Sequence, residues 1–200
     1  MFRYYVIAIL VCMALIFTAN AIFVTPLPDI SHTDMLMFLV IGVAVAFAAD
    51  AIVALFTRYA LPKSFFDPMK KRYKSFAWEK KLYGSIGIRK WKDKIPETGG
   101  LLVGFSKSKA TDLRNNEYVF KFMEETCYAE VMHVWSIPLG FVTLLLCPAA
   151  LRLTVALPVA VVNAVLQLLP VMVQRFVRPQ LMRVYLGNLK RQQDQKKSAQ

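Results

Sequence analysis

Apolar residues fall in long runs along this chain, separated by one extended polar stretch. Tyr5 to Val24 carries no charge, and Met35 to Thr57 is interrupted by Asp50 alone. From Val134 to Gln174 the only charge is Arg152. As a continuous helix that last run is roughly 60 Å long, about twice the thickness of a bilayer core, so it must fold back once. Pro148-Ala149-Ala150-Leu151-Arg152 supplies the turn. The pattern predicts an all-α integral membrane protein with four transmembrane helices near 5–24, 35–57, 131–147 and 153–173. They form a single membrane domain over 1–190, followed by a polar tail at 191–200 that is expected to fray.

The polar stretch, 58–129, has a periodicity of its own. Asp67-Pro68 pairs an N-cap residue with proline at the first helical position. Phe66, Met69, Tyr73, Phe76 and Ala77 then recur at helical spacing among Lys70, Lys71, Arg72, Lys74, Lys80 and Lys81, with Gly84 as the stop. Aromatics on one face and lysines on the other predict a cytoplasmic interfacial amphipathic helix. Next, Trp91 stands among basic residues in a segment ended by Pro96 and Gly99-Gly100, as suits the headgroup zone. A helix resumes at Asn116 and runs into the third span.

Composition strengthens this reading. An apolar content of 56% is too high for an ordinary soluble domain. Of 25 Lys and Arg, 16 lie in 58–129 and 7 in 174–200, whereas the loop 25–34 has none. The positive-inside rule therefore places both termini and the 58–129 segment in the cytoplasm. The same bias, with anionic lipid, accounts for the net charge of +12 and removes the case for nucleic acid. Ala19-Asn20-Ala21 has the small-x-small form of a signal-peptide cleavage site, although the first run is read as a retained span. Cys12, Cys127 and Cys147 show neither metal nor redox spacing.

Candidate chemistry gathers at the entry to the third span. Glu130 and His133, three apart, lie about 60° from each other round a helix, and Glu125 flanks His133 at about 80° on the other side. A carboxylate beside an imidazole fixes its tautomer and raises its basicity, which suits a general base acting on a hydroxyl. The alternative is a paired Glu-His that merely seats the helix. With two histidines in the chain, His32 and His133, predicted on opposite sides of the membrane, no metal site is expected. Arg175 and Arg178, three apart at the cytoplasmic end of the fourth span, either answer topology alone or hold a phosphate or carboxylate of a substrate. Asp50 either pairs with one of them or snorkels towards Arg58. Asn163 and Gln167 read as helix-packing groups.

Three segments together resemble a known family. IRKWKDKIPETGG at 88–100, ET-x-x-AE-x-x-H-x-W at 125–135 and P-x-x-x-QRF-x-RP-x-L at 170–181 are similar to the bacterial glycosyl-4,4'-diaponeurosporenoate acyltransferases. The similarity covers roughly residues 80–184, weakly over 98–122, and extends to the first two spans only in hydrophobicity. It implies a cell-membrane O-acyltransferase of the kind that completes staphyloxanthin, a carotenoid glycolipid. The donor would be acyl-CoA or acyl carrier protein, the acceptor a lipid-linked sugar or other lipid alcohol, with no cofactor. His133, Glu130 and Glu125 are then the catalytic candidates; Arg175, Arg178, Gln174, Trp91, Lys92 and Asp50 are the substrate-binding ones. Two rival readings are a non-catalytic membrane protein that binds anionic lipid or a partner, and a metal-dependent lipid hydrolase.

Overall fold

The computed structural model describes residues 2–23, 30–95 and 113–198. Among them the regular structure is helical: α1 (Phe2–Phe23), α2 (His32–Tyr59), α3 (Ala77–Ser85), α4 (Ile88–Trp91), α5 (Asn116–Gly140), α6 (Thr143–Leu146) and α7 (Leu157–Ser198). Four helical stretches are long and apolar enough to cross a membrane: Arg3–Ile22, His32–Tyr59, Asn116–Leu146 and Ala149–Ser198. The all-α, four-span membrane fold predicted above is thus found. By its contacts the chain divides into two compact units, Met1–Ala60 with Met132–Leu169, and Leu61–Val131 with Pro170–Gln200.

In the first unit α2 starts with a reciprocal cap. Asp34 N–H donates to Ser31 Oγ at 3.1 Å while Ser31 N–H donates to Asp34 Oδ2 at 3.0 Å. Met35, Leu39, Leu151, Val155 and Val159 bury one another, with Met13, Ile16 and Phe17 of α1 against them. Leu10, Leu15, Ile52 and Leu55 face outward, as lipid-facing positions should. The turn falls at the expected place, with a 3₁₀ turn at Ala149–Leu151 and a π turn at Arg152–Ala156 leading into α7. Arg152 Nε closes the turn by donating to Cys147 O at 3.2 Å. Pro158 has no N–H to give the Thr154 carbonyl one turn earlier. Asn20 Nδ2 supplies the missing donor at 2.7 Å and also reaches Ile16 O at 2.8 Å.

The second unit departs from the expected interfacial helix at its start. Residues 63–73 form two 3₁₀ turns, Lys63–Phe66 and Lys71–Tyr73, and the α-helix begins only at Ala77. Asp67 caps a local turn instead, accepting from Met69 N–H at 2.9 Å. The aromatic periodicity is explained by packing: Phe66 stacks on Tyr128 with ring centroids 3.5 Å apart, and Tyr73 donates to Phe65 O at 3.1 Å. Gly84 lies inside α3; the left-handed position, φ 60°, belongs to Gly87. The expected stop at Pro96 and Gly99-Gly100 lies outside the described residues. Asn115 Oδ1 caps α5 by accepting from Glu117 N–H at 2.9 Å. Val119, Phe122 and Met123 of α5 pack on Leu181 of α7. The tail expected to fray stays helical to Ser198, tied by Asn188 Nδ2 to Leu113 O at 2.8 Å and by Asn116 to Gln192 at 3.4 Å.

Pro179, like Pro158, deprives a carbonyl of its donor, here Arg175 O, and Ser75 Oγ donates to it at 3.4 Å. Replacing Asn20 by Leu should therefore destabilise the first unit by about 1–3 kcal/mol, because a buried carbonyl loses its partner. The loss should shrink in a Pro158→Ala background, which restores an N–H to Thr154 O. Thermal unfolding of the four variants in one detergent tests this coupling.

Candidate functional site

Each unit holds one cluster of buried polar side chains. In the second unit α7 presents Arg175 and Arg178 from the same face. Arg175 Nε lies 2.6 Å from Glu79 Oε1, its Nη1 2.6 Å from Glu130 Oε1, and its Nη2 donates to Lys74 O at 3.1 Å. Arg178 Nε donates to Thr126 Oγ1 at 2.8 Å and Nη1 to Tyr73 O at 3.1 Å. Its Nη2 donates to Thr126 O at 2.9 Å and lies 2.6 Å from Glu130 Oε2. That last contact is ionic by distance, but the N–H does not point along it, so Oε2 is ion-paired without a directed hydrogen bond. Both guanidinium groups rest on aromatic faces, Arg175 over Phe76 at 5.3 Å and Arg178 over Tyr73 at 5.1 Å.

The charges in this cluster cancel. Glu79 and Arg178 are each only 2% exposed, so two cations and two carboxylates are withdrawn from water together. Glu79 is held by its own helix start, Oε2 accepting from Phe76 N–H at 3.1 Å. Tyr83 beside it has its phenol pushed up to about 12, first by burial and then by the Glu79 charge, and so stays neutral near pH 7. Every nitrogen of both guanidinium groups is engaged by the protein itself.

The first unit holds the other cluster. Gln167 Nε2 donates to Asp50 Oδ2 at 2.5 Å and lies 3.5 Å from Asn163 Oδ1. Gln167 Oε1 is 2.5 Å from His133 Nδ1. This amide orientation is chemically forced, since the reverse would set its oxygen against a carboxylate. A carbonyl oxygen can only accept, so His133 Nδ1 carries a proton, and in the neutral ring Nε2 is then the basic nitrogen. Ser136, one turn on from His133, is fully buried and makes no hydrogen bond through Oγ among the described residues. Gly140 leaves room for Asn163: a Cβ there would lie 2.4 Å from Asn163 Nδ2.

The sequence candidates thus sort into separate groups. Glu130, Arg175 and Arg178 come together in one unit, Asp50 and His133 in the other. Asp50 engages Gln167, an interaction absent from both sequence alternatives. Both carboxylate oxygens of Glu130 are held by arginine. Glu125 is partly exposed. Gln174 is buried, and its Oε1 accepts no hydrogen bond among the described residues. Trp91 Nε1 donates to Ile86 O at 3.1 Å, and Lys92 pairs with Asp93 at 2.5 Å. No group of three His, Cys, Asp or Glu suited to a metal occurs among the described residues. Sequence reasoning missed Glu79 as the second counter-ion, although it stands as a lone acid among the lysines of 70–81. It also gave Gln167 a packing role; nothing in linear spacing reveals that one amide reaches both Asp50 and His133.

Residues 62–186 match the model of a protein family described as glycosyl-4,4'-diaponeurosporenoate acyltransferase. Comparisons with curated proteins and with solved structures find no match. The matched stretch contains His133, Gln167, Glu130 and both arginines, and leaves out α1, α2 and Asp50.

Breaking the buried ion network should be costly. Glu79→Ala leaves Arg175 with one counter-ion, and a stability loss of about 3–5 kcal/mol is expected for removing one partner of a buried pair. Replacing Glu79, Glu130, Arg175 and Arg178 together by apolar residues should cost less than the single changes add up to. Detergent melting temperatures of the single and quadruple variants report both effects.

Proposed function

Because this chain belongs to the glycosyl-4,4'-diaponeurosporenoate acyltransferase family, we propose that it moves a fatty acyl group from a cytoplasmic thioester to a lipid-linked hydroxyl. The donor is acyl-CoA or acyl carrier protein, and the acceptor is a glycolipid or similar lipid alcohol. The observation that carries the reading is the Asp50–Gln167–His133 chain. It engages the imidazole at Nδ1, which in the neutral ring makes Nε2 the basic nitrogen, the tautomer a general base needs.

In this mechanism Nε2 takes the proton of the acceptor hydroxyl as its oxygen attacks the thioester carbonyl carbon. The tetrahedral intermediate then collapses, the C–S bond breaks, and the departing thiolate takes that proton back from the imidazolium. Gln167 and Asp50 act as positioning groups, because the carboxylate polarises the amide whose oxygen accepts from Nδ1–H. Greasy substrates enter from the bilayer. Arg175 and Arg178, whose charge is matched by Glu79 and Glu130, are assigned to holding their own unit together rather than to binding donor phosphate. Trp91, Lys92 and the other basic residues of 58–94 seat the protein against anionic headgroups on the cytoplasmic face, where both termini lie.

Lipid mass profiles of membranes expressing the wild type should contain species heavier by one fatty acyl group. His133→Ala, at matched protein level, should reduce them by about 100-fold or more. Gln167→Leu should lower kcat and leave both KM values near wild type, since it disturbs the base and not the substrate contacts. Product retained in His133→Ala rules out the general base. Absence of any acylated species in a host that contains acceptors favours the non-catalytic reading.

A further inference from the structure

Within the first unit a half-open groove runs between α1, α2 and α7. Its walls are apolar, with Ile9 and Met13 of α1 and Phe47 of α2 among them, and its polar side chains include Tyr5, Asp50 and Asn163. The groove therefore reaches the cluster described above, since Asp50 and Asn163 are the two side chains that Gln167 Nε2 faces.

Two atoms there lack partners. Asp50 Oδ2 is taken by Gln167, but its Oδ1 is buried and accepts no hydrogen bond among the described residues. The Ser136 hydroxyl lies within reach of the Asp50 carboxylate but is not aligned in a directed hydrogen bond to it. Asn163, 9% exposed, likewise has no acceptor for Nδ2. An unsatisfied carboxylate oxygen in an apolar setting calls for a donor. The alkyl tail and carbonyl of a thioester bring none, whereas an alcohol brings an O–H.

We propose that this groove is the subsite of the acyl acceptor: a lipid-linked sugar lies with its chain along Ile9, Met13 and Phe47 and donates to Asp50 Oδ1 a hydroxyl other than the one that His133 deprotonates. The assignment rests on the acyl-transfer reading for its reaction, but it concerns α1 and α2, which the family match does not cover. The acceptor is then chosen by the two N-terminal spans, and Asp50 has two tasks, one oxygen for Gln167 and the other for substrate.

The test uses the full chain in nanodiscs and dodecyl glucoside carrying a diazirine in its alkyl chain. Photolysis should label α1 or α2 at Ile9, Met13 or Phe47, as mapped by peptide mass spectrometry. Excess unlabelled dodecyl glucoside should compete and palmitoyl-CoA should not. Asp50→Leu should cut labelling at least about tenfold, and Ile9→Trp, which fills the groove, should raise acceptor KM about tenfold while leaving donor KM and kcat unchanged. Labelling outside the groove, competition by palmitoyl-CoA, or labelling indifferent to Asp50→Leu overturns the proposal. Specific groove labelling in a protein that yields no acyl product upholds the subsite and sinks the acyl-transfer reading instead.

Discussion

A guanidinium group cannot be taken out of water unless anions and carbonyls receive its protons, and that demand organises the second unit. Arg178 is buried to 2% exposure, and the groups around it come from distant parts of the sequence: Tyr73 O, Thr126 and Glu130. Arg175 adds Glu79 and the Lys74 carbonyl. Satisfying two side chains of α7 therefore fixes where the 3₁₀ turns, the start of α3 and the middle of α5 must lie. A regular helix from Asp67 onward would bond the carbonyls of Tyr73 and Lys74 internally and remove them from the arginines' reach. The irregular backbone is the form that leaves them available.

The same accounting governs the first unit with neutral groups. Apolar surroundings offer no water to an orphaned carbonyl, so each helix irregularity needs a side chain to complete it. Asn20 answers Pro158, and Gln167 answers Asp50 and His133 at once. Among the described residues of this unit the accounting stays open at Asn20 Oδ1, Ser136 Oγ, Thr154 Oγ1, Asp50 Oδ1 and Asn163 Nδ2, and the last two belong to residues that line the groove. Unsatisfied polar atoms are rare in buried surroundings, and their position beside an apolar channel gives them a chemical meaning.

These two clusters divide labour in a way the acyltransferase family membership makes intelligible. A compensated ion network ties one unit together, its arginine charges matched by Glu79 and Glu130. An amide chain in the other links Asp50 to His133 Nδ1 and borders an apolar groove. Acyl transfer between greasy partners needs a base of defined tautomer and a route from the bilayer more than it needs a large polar cavity.

Hydropathy alone determined the number of spans, the turn at 148–152 and the resumption of helix at Asn116. Each of these depends on the local density of apolar side chains and on prolines, which are properties of neighbours in sequence. The candidate residues were also legible, because ionisable groups in apolar runs are conspicuous. Their partners were not. Glu130 and His133 share a helix and an interval, yet Glu130 is held by arginines of α7, while Gln167, also on α7, takes His133 Nδ1. The lysine-rich aromatic pattern at 66–77 looked helical because period alone cannot tell a lipid-facing stripe from rings packed on Tyr128 and from carbonyls reserved for arginine. Hydrogen bonds and ion pairs act over about 3 Å in space and take no account of separation along the chain, so only the folded arrangement of the helices could choose among them.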